Sequence, residues 1–445
     1  MRHSGALGSH FVVLAALLCP GLAAAQPSDT LRLGITDALA AARSRNPAVL
    51  QARAERRARA ADVLAGSAAL LPRFSAELGW LRSNDPVAVF GGRLRQGDFT
   101  AADFALDALN HPLPLSDVHT SVSVEQPLFQ PEALLARRAG QAAERAAALQ
   151  EARTAEAAAF EAVRSYFAVR LAQDRVGVLQ EALEVARRVL GQVESLRRNG
   201  NVTLVDEQLA RARVSELDAN LAAAEAGRLA AGDLLLLTLG EPPDRPLLLR
   251  DSLEAEVPGT DTLSPARRDD IAALEAALQA GEANIARAKG SWIPTAGAFG
   301  TLDWHAGKVA FAQGPRHWTA GLLIRWSPFR GLADLGALRR AEAEREAARE
   351  RLADQRRRVL AEGRLARADR AAALATVQAT EAALTGAGQA ARIAGVRYGE
   401  GVGTLTELLA VRAAESAQRL ARLDALYRAR VAEAALALAL GRTPE

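Results

Sequence analysis

The stretch Asn199-Gly200-Asn201-Val202-Thr203-Leu204 decides the fold, because it recurs 201 positions later as Glu400-Gly401-Val402-Gly403-Thr404-Leu405. In each copy a glycine, which readily adopts left-handed backbone angles, stands three residues before a threonine, which often caps a helix N-terminus. Long Ala-, Arg-, Glu- and Leu-rich stretches flank both copies. We therefore predict two pairs of antiparallel helices, each pair joined by a tight turn.

The similarity between the two halves extends well beyond these turns. Without a gap, the same offset aligns Pro127 with Pro328, Arg211 with Arg412, and Gly240 with Gly441. An offset of 222 aligns the earlier segments, including Leu71-Pro72 with Ile293-Pro294. We predict two copies of one unit, ordered helix, strand, strand, long helix and return helix. The predicted repeats span 35–240 and 266–441, with β-hairpins at 73–128 and 295–327 and a linker at 241–265.

The two copies differ in length only between their strands. The first copy carries 21 more residues between its two proline anchors, around Asn84 to Asp117. The segment that follows Pro127 or Pro328 keeps its length to the residue. Loops accept insertions at small entropic cost, whereas a packed helical register does not.

Local signals give the helix boundaries. Thr36 is a plausible N-cap for an opening helix that ends near Leu71, a long helix should run from Glu132 to Arg198, and a return helix from Leu204 to Leu239. The long helix would measure about 100 Å, and the shorter ones about half of that, so two short helices stacked end to end would match one long helix. A heptad seam of core residues follows the long helix: Val176, Leu179, Leu183, Ala186, Leu190 and Val193.

The N-terminus has the pattern of an export signal. Arg2 precedes the apolar run 11–18, and Ala23-Ala24-Ala25 supplies small residues for cleavage before Gln26. We expect 1–25 to be removed, which leaves a single subunit at 26–445. Cys19 is the only cysteine, and Leu18 stands where a lipidation motif needs a small residue, so lipidation of Cys19 is left as the less favoured alternative.

Composition and motifs argue against several function classes. The net charge of +3 comes from Arg that alternates with Glu and Ala, which indicates a solvated helical surface and no nucleic-acid partner. No catalytic set, cofactor-binding loop or metal cluster is recognisable, so we predict that the chain is not an enzyme and needs no cofactor. The four histidines after the signal are expected to be isolated surface residues: His111, His119, His305 and His317.

Aromatic residues concentrate in the two predicted hairpins, where the periodicity becomes alternating. Trp318, Ala320, Leu322, Ile324 and Trp326 share one side of a strand, and Phe74, Ala76, Leu78 and Trp80 form a similar row. Such rows predict lipid-facing β-strands with an aromatic girdle made of Trp80, Trp304, Trp318 and Trp326. The alternative is a soluble hairpin packed on helices. Since four strands cannot close a barrel and open edges cannot face lipid, several chains must share one barrel.

In this order, the motifs resemble the TolC-like outer-membrane efflux protein family (outer membrane factors). The resemblance covers almost the whole chain after the signal. Its residues are Arg45-Asn46-Pro47 in the opening helix, Leu70-Leu71-Pro72 before a strand, Gln126-Pro127-Leu128-Phe129 leaving a strand, and the stretch 397–409 around the second turn.

The resemblance implies a mainly α fold with a small transmembrane β part: a homotrimer with a twelve-stranded β-barrel on a twelve-helix periplasmic α-barrel. It also implies a periplasmic adaptor (membrane fusion protein) and an inner-membrane pump as partners. The chain would be the passive outer-membrane exit of a tripartite efflux or type I secretion system. The cargo stays open, as does the pump class among RND, ABC and MFS. The inserted residues around Phe90 to His111 would form an extracellular loop.

For the two turns, the resemblance implies periplasmic tips that form a gate. The residues concerned are Gly200, Asp206, Tyr398, Gly401, Gly403, Thr404 and Glu407. The acids at 206 and 407 could equally serve only to stabilise helix N-termini. Ala410 stands where a second acidic ring often occurs, and Arg197 or Arg198 could pair with Asp206. The rival function is a periplasmic coiled-coil scaffold or adaptor protein that never enters the membrane.

Overall fold

A computed structural model describes residues 30–254, 268–308 and 315–443. The predicted signal, Cys19 and the second part of the predicted linker, 255–265, lie outside these residues. The first copy contains β1 (Leu31–Leu33), α1 (Ile35–Arg45), α2 (Pro47–Ala68), β2 (Arg73–Ser83), α3 (Pro86–Gln96), α4 (Leu106–Asn110), β3 (Leu115–Phe129), α5 (Pro131–Arg198) and α6 (Leu204–Leu239). The rest contains β4 (Leu247–Leu249), α7 (Asp269–Gly290), β5 (Thr295–Ala306), β6 (Arg316–Arg325), α8 (Ala333–Gly399) and α9 (Leu405–Ala439).

The long helices and return helices follow the prediction closely. Pro131 and Gly200 delimit α5, and Gly240 terminates α6 with a left-handed φ of 73°. The heptad seam is confirmed, since five of its six residues are buried and Leu190 is partly buried. With 68 residues, α5 is about 100 Å long.

The prediction of one opening helix is wrong. The chain breaks at Asn46-Pro47 into α1 and α2, and the N-cap of α1 is Gly34 instead of Thr36. A proline lacks the N–H that a continuous helix needs and pushes the preceding residue out of helical angles. The Oδ1 atom of Asn46 then accepts a hydrogen bond from Ala48 N at 2.9 Å, which starts α2 afresh.

Short helices stack end to end along the long ones at two equivalent junctions. Asn46 Nδ2 donates to the carbonyl of Thr238 at 2.7 Å, so the start of α2 meets the end of α6 beside α5. Arg268 Nη1 donates to the carbonyl of Ala439 at 3.1 Å, so the start of α7 meets the end of α9. These donors differ by the offset of 222, and these acceptors by 201. Each junction satisfies a carbonyl that a helix C-terminus would otherwise leave unpaired.

The best-buried core lies beside the first junction. Tyr166 of α5 is fully buried there among apolar residues of α1, α5 and α6. Its hydroxyl lies 2.7 Å from Asp251 Oδ2 and 3.1 Å from the carbonyl oxygen of Leu33, and burial with the nearby Asp251 carboxylate raises its pKa to about 12. Asp251 also accepts from Ile35 N at 2.7 Å. Asp251 therefore links the small parallel β1–β4 pair and the start of α1 to Tyr166 of the long helix α5.

The remaining strands form one antiparallel sheet in the order β2-β3-β5-β6. Each copy contributes one hairpin, and β3 pairs with β5 to join the hairpins. Within the described chain, β2 and β6 pair on one side only. All four strands extend between the helices at one end of the sheet and the two hairpin connections at the other end. We call the end with the hairpin connections the outer end.

Substituting alanine for two glycines with left-handed backbone angles should destabilise the protein to different extents, because only one of them lies at a junction. Gly240→Ala places a Cβ against the carbonyl oxygen of Arg45 at the first junction, whereas Gly200→Ala meets no atom within 4 Å. Both variants impose a left-handed strain of about 1–2 kcal/mol on alanine. Thermal unfolding followed by circular dichroism should show a clearly larger fall in melting temperature for Gly240→Ala. Equal falls would mean that the junction does not contribute to stability.

Candidate functional site: helical tips and sheet faces

Both turns between long and return helices have the same hydrogen-bonded geometry. At the first turn, Gly200 N donates to Arg197 O and Asn201 N to Leu196 O, each at 2.9 Å. The second turn repeats this pattern with Gly401 N to Tyr398 O at 3.1 Å and Val402 N to Arg397 O at 3.0 Å. Gly200 and Gly401 have φ of 73° and 77°. This Schellman geometry needs a left-handed residue, which explains both glycines without reference to function.

A threonine starts each return helix. The hydroxyl of Thr203 accepts from Asp206 N at 3.2 Å, and Asp206 Oδ2 accepts from Thr203 N at 2.9 Å, so the two residues form a capping box. Hydrogen bonds from the side chain and backbone of Thr203 hold the pKa of Asp206 below its usual value. Thr404 caps α9 by accepting from Glu407 N at 3.1 Å. The acid at 206 therefore has a structural task whether or not it gates a channel.

The structure brings the two tips together in one apolar cluster. Val193, Ala210, Ala394, Tyr398, Leu405 and Leu408 are its buried members. Tyr398 comes from the second tip, and its hydroxyl is buried with no hydrogen-bond partner among the described residues. Tyr398 packs there with Val193 and Ala210 of the first tip, and burial together with the negative charge of Asp206 raises its pKa. Gly403 packs against the backbone at 397–398, where a Cβ would come within 3.1 Å of Tyr398 N.

The ion pairing at the first tip differs from the prediction. Arg197 pairs with Glu207, not with Asp206, and Arg211 pairs with both Glu207, at 2.9 Å, and Glu194, at 3.0 Å. Glu207 is 6% exposed, and the hydrogen bond from Arg197 lowers its pKa. In the second copy Arg397 and Glu407 lie 4.0 Å apart.

The Arg197–Glu207 pair could have been found by aligning the sequences of the two copies. The offset of 201 places Tyr398 opposite Arg197 and Leu408 opposite Glu207. Both members therefore change together, from an ion pair in one copy to two apolar residues of the tip cluster in the other. A paired exchange of this kind indicates spatial contact.

The sheet has one apolar face and one polar face. The side chains of cross-strand partners point to the same side of a sheet. The register therefore places the alternating apolar residues of all four strands on one face. The apolar face contains Phe74, Ala76, Leu78 and Trp80 of β2, Val118, Val122 and Val124 of β3, Leu302 and Trp304 of β5, and Trp318, Leu322 and Ile324 of β6. Trp318 is 76% exposed and Leu322 77% exposed. This face has the sidedness predicted from the alternating pattern.

Tryptophans mark both ends of the apolar face. Trp80, Trp304 and Trp318 lie near the outer end, whereas Trp326 follows β6 at the helical end. There Trp326 Nε1 donates to the carbonyl of Trp292 at 3.2 Å. Trp292 was not predicted to belong to the girdle, although it lies at the same end. The nine residues from Trp318 to Trp326 span about 27 Å of strand.

The polar face brings three histidines together, so the expectation of isolated histidines is wrong for them. The rings of His119 and His305 stack at 4.6 Å, and His317 lies 6.1 Å from His305. Asp303 Oδ1 lies 3.1 Å from His119 Nε2, and Asp117 Oδ2 lies 2.8 Å from His305 Nδ1. In the described residues no group of three or more potential ligands is arranged to hold a metal ion. Likewise, none of the helices there is both long and apolar enough to cross a membrane.

Comparison with known proteins identifies the family. A family model described as outer membrane efflux protein matches residues 38–241 and 263–442. The chain belongs to the outer membrane efflux protein family. The predicted resemblance is thereby confirmed, together with the outer-membrane location and the prediction that the chain is a transport protein and not an enzyme.

Solved structures of outer-membrane proteins, two of them described as channels, share the fold. VceC from Vibrio cholerae superposes with a TM-score of 0.73 at 19% identity, over 92% of this chain and 97% of that one. The open state of MtrE from Neisseria gonorrhoeae gives 0.75 at 18% identity, over 92% and 89% of the two chains. CmeC from Campylobacter jejuni gives 0.75 at 16% identity, over 92% and 85%. No curated protein matches the sequence significantly.

Membership gives the general class of function. Outer membrane efflux proteins are homotrimeric channels that work with a periplasmic adaptor and an inner-membrane pump. This favours the channel over the periplasmic scaffold as the function of this chain.

The two tips use an ion pair and an apolar pair at equivalent positions, so a second substitution should restore stability lost through a first one. Glu207→Leu should lower the melting temperature, because Arg197 loses its carboxylate partner, and adding Arg197→Tyr should recover part of the loss by recreating the apolar pair of the second tip. Glu207 has a pKa below its ordinary 4.5, so its stabilising effect is present above that value and is lost as the pH falls through the lowered pKa. Proteolysis at the first tip should therefore increase less on acidification in the double variant than in the wild type. No rescue by Arg197→Tyr would show that the two positions are not coupled.

Proposed function

We propose that three copies of this chain form a channel whose twelve strands close a β-barrel in the outer membrane, above a tunnel of twelve helices in the periplasm. One observation supports this proposal above all: a four-stranded sheet that combines an exposed apolar face with two unpaired edges, β2 and β6. In lipid, unpaired backbone groups cost several kcal/mol each, so the edges need partner strands. Pairing β6 of one copy with β2 of the next closes the sheet without new elements.

The dimensions of the sheet support this orientation. The apolar face lies between Trp80, Trp304 and Trp318 at the outer end and Trp326 at the helical end, which are the predicted girdle. Its length of about 27 Å along β6 becomes about 21 Å along the membrane normal at a tilt of about 40°, which is close to the apolar band of about 25 Å in outer-membrane barrels. The polar face then lines the lumen, as the alternation of lipid-facing and lumen-facing residues requires.

The tips would face the periplasm and close the channel in its resting state. The tip cluster supports this proposal, because it packs Tyr398 of the second tip, with its buried hydroxyl, against Val193 and Ala210 of the first tip. The Arg397–Glu407 pair adds charged groups at the second tip. A periplasmic adaptor would bind at these tips, and an inner-membrane pump of RND, ABC or MFS class would deliver the cargo. The signal at 1–25 and the organisation of 26–445 into two repeats belong to the same proposal.

Planar-bilayer recording tests the channel and its gate in one experiment. The purified wild type should form channels, and Asp206→Ala combined with Glu407→Ala should raise the single-channel conductance by loosening contacts between tips. Thr203→Ala is the matched control, because it disrupts the capping box but keeps the charge at 206.

The outcomes separate the claims. An equal rise in Thr203→Ala would assign the effect to the helix cap, and an unchanged conductance would remove both acids from the gate. A wild type that forms no channels and leaves the membrane fraction on washing would support a periplasmic scaffold.

A further inference from the structure

The insertion in the first copy is a folded unit, not an open loop. Asp85 caps α3 by accepting from Ala88 N at 2.8 Å, Pro86 occupies its first turn, and Gly97 ends it with a φ of 73°. The ring of Phe90 in α3 packs edge to face on Phe99 at 4.9 Å, and Phe99 packs in the same way on Phe104 at 5.2 Å. We call residues 84–114, which join β2 to β3, the cap.

The cap folds back over the polar face at the outer end of the sheet. Gln96 Nε2 donates to Asp117 Oδ1 and to the carbonyl of Ser116, each at 2.9 Å. His317 Nε2 lies 3.0 Å from the carbonyl oxygen of Arg95. Asp117 and His317 both belong to the polar face, so α3 crosses from β3 towards β6 above the histidine cluster.

Close packing accompanies these hydrogen bonds. A Cβ on Gly92 would come within 2.7 Å of Leu115 Cδ2, and one on Gly97 within 2.8 Å of Pro315 Cγ. His305 beneath the helix is 8% exposed. The position of α3 is therefore determined by packing as well as by polar contacts with the polar face of the sheet.

The far side of α3 is apolar, and none of the described residues packs against it. Val89, Gly92 and Gln96 are buried towards the sheet. At 100° per residue, Val87, Gly91 and Leu94 lie on the opposite side of the helix. Val87 is 80% and Leu94 49% exposed, and Gly91 has no atom within 4 Å of its Cβ position. A small residue between two apolar ones allows another helix to approach closely.

The proposed barrel leaves little room for three such helices. Twelve strands spaced about 4.8 Å apart and tilted by about 40° enclose a bore about 24 Å across, measured between backbones. An α-helix with its side chains is about 10 Å wide. Three caps on the inner wall must therefore come into contact near the axis, and the side that each presents there is the apolar one.

We propose that the α3 helices of three copies meet through Val87, Gly91 and Leu94 and close the outer mouth of the channel. The interaction surface is this helix face, and its partner is the same face of the other copies. The proposal rests on the trimeric barrel proposed above, and it adds a second closure at the end opposite the tips. Opening would require the cap to leave the wall contacts at Gln96 and His317.

Cysteine cross-linking of the full-length protein in outer membranes tests this contact. The only native cysteine, Cys19, lies in the predicted signal, so a single engineered cysteine can be followed. Oxidation of Leu94→Cys should give a cross-linked dimer on a denaturing, non-reducing gel. Leu78→Cys, on the apolar face and likewise exposed, is the matched control and should stay monomeric.

A second variant tests closure directly. Replacing 84–114 by an Asn-Gly turn between Ser83 and Leu115, in the variant whose tips are opened by Asp206→Ala and Glu407→Ala, should raise the conductance about twofold or more above that of the tip variant alone, because conductance grows with the open cross-section of a pore. Wild-type channels with no cross-link at Leu94→Cys, or with equal cross-linking at Leu78→Cys, would overturn the cap contact and leave the channel intact. A wild type without channels would instead overturn the proposed function.

Discussion

The β2 and β6 edges, which are unpaired within the described chain, and the exposed apolar face between them are the constraint on which the proposed assembly depends. Each copy supplies only four strands, and the sheet exposes an apolar face that water solvates poorly. Neither helices nor loops of the described chain cover that face or those edges. One copy alone therefore leaves two strand edges unpaired and one apolar face uncovered. Members of the family to which the chain belongs associate as trimers.

The same constraint accounts for the conserved lengths of the helices. If three copies share one sheet, the helices below must also close a ring, and their registers must agree around it. The equivalent junctions at Asn46–Thr238 and Arg268–Ala439 place the ends of short helices at matching heights in both copies. The insertion that lengthens the first copy lies in the cap, where no helical register is at stake.

Much of this fold could be predicted from sequence, because its boundaries are set by residues with strong backbone preferences. Pro131, Gly200 and Gly240 gave the limits of α5 and α6 almost to the residue. The opening helix was mispredicted because Asn46-Pro47 interrupts an otherwise continuous helical pattern, and the proline outweighs it.

The candidate site was less predictable, because it depends on contacts between distant segments. The partner of Arg197 lies across a turn, and only comparison of the copies pointed to Glu207. The insertion carried helix signals in Asp85-Pro86 and Gly97, yet its docking on the polar face arises from packing that no local pattern encodes. The histidine cluster likewise appears only once the register of β3, β5 and β6 is known.

The central claim, that the apolar face contacts lipid, is tested most directly by fluorescence quenching. A variant that retains Trp318 as its only tryptophan would be reconstituted into vesicles containing brominated lipid. A second variant, with a single tryptophan introduced by Leu204→Trp at the first tip, serves as the reference. The account predicts strong quenching of Trp318 and little quenching at the tip. Equal, weak quenching at both positions, from a protein that is a monomer without detergent, would contradict it.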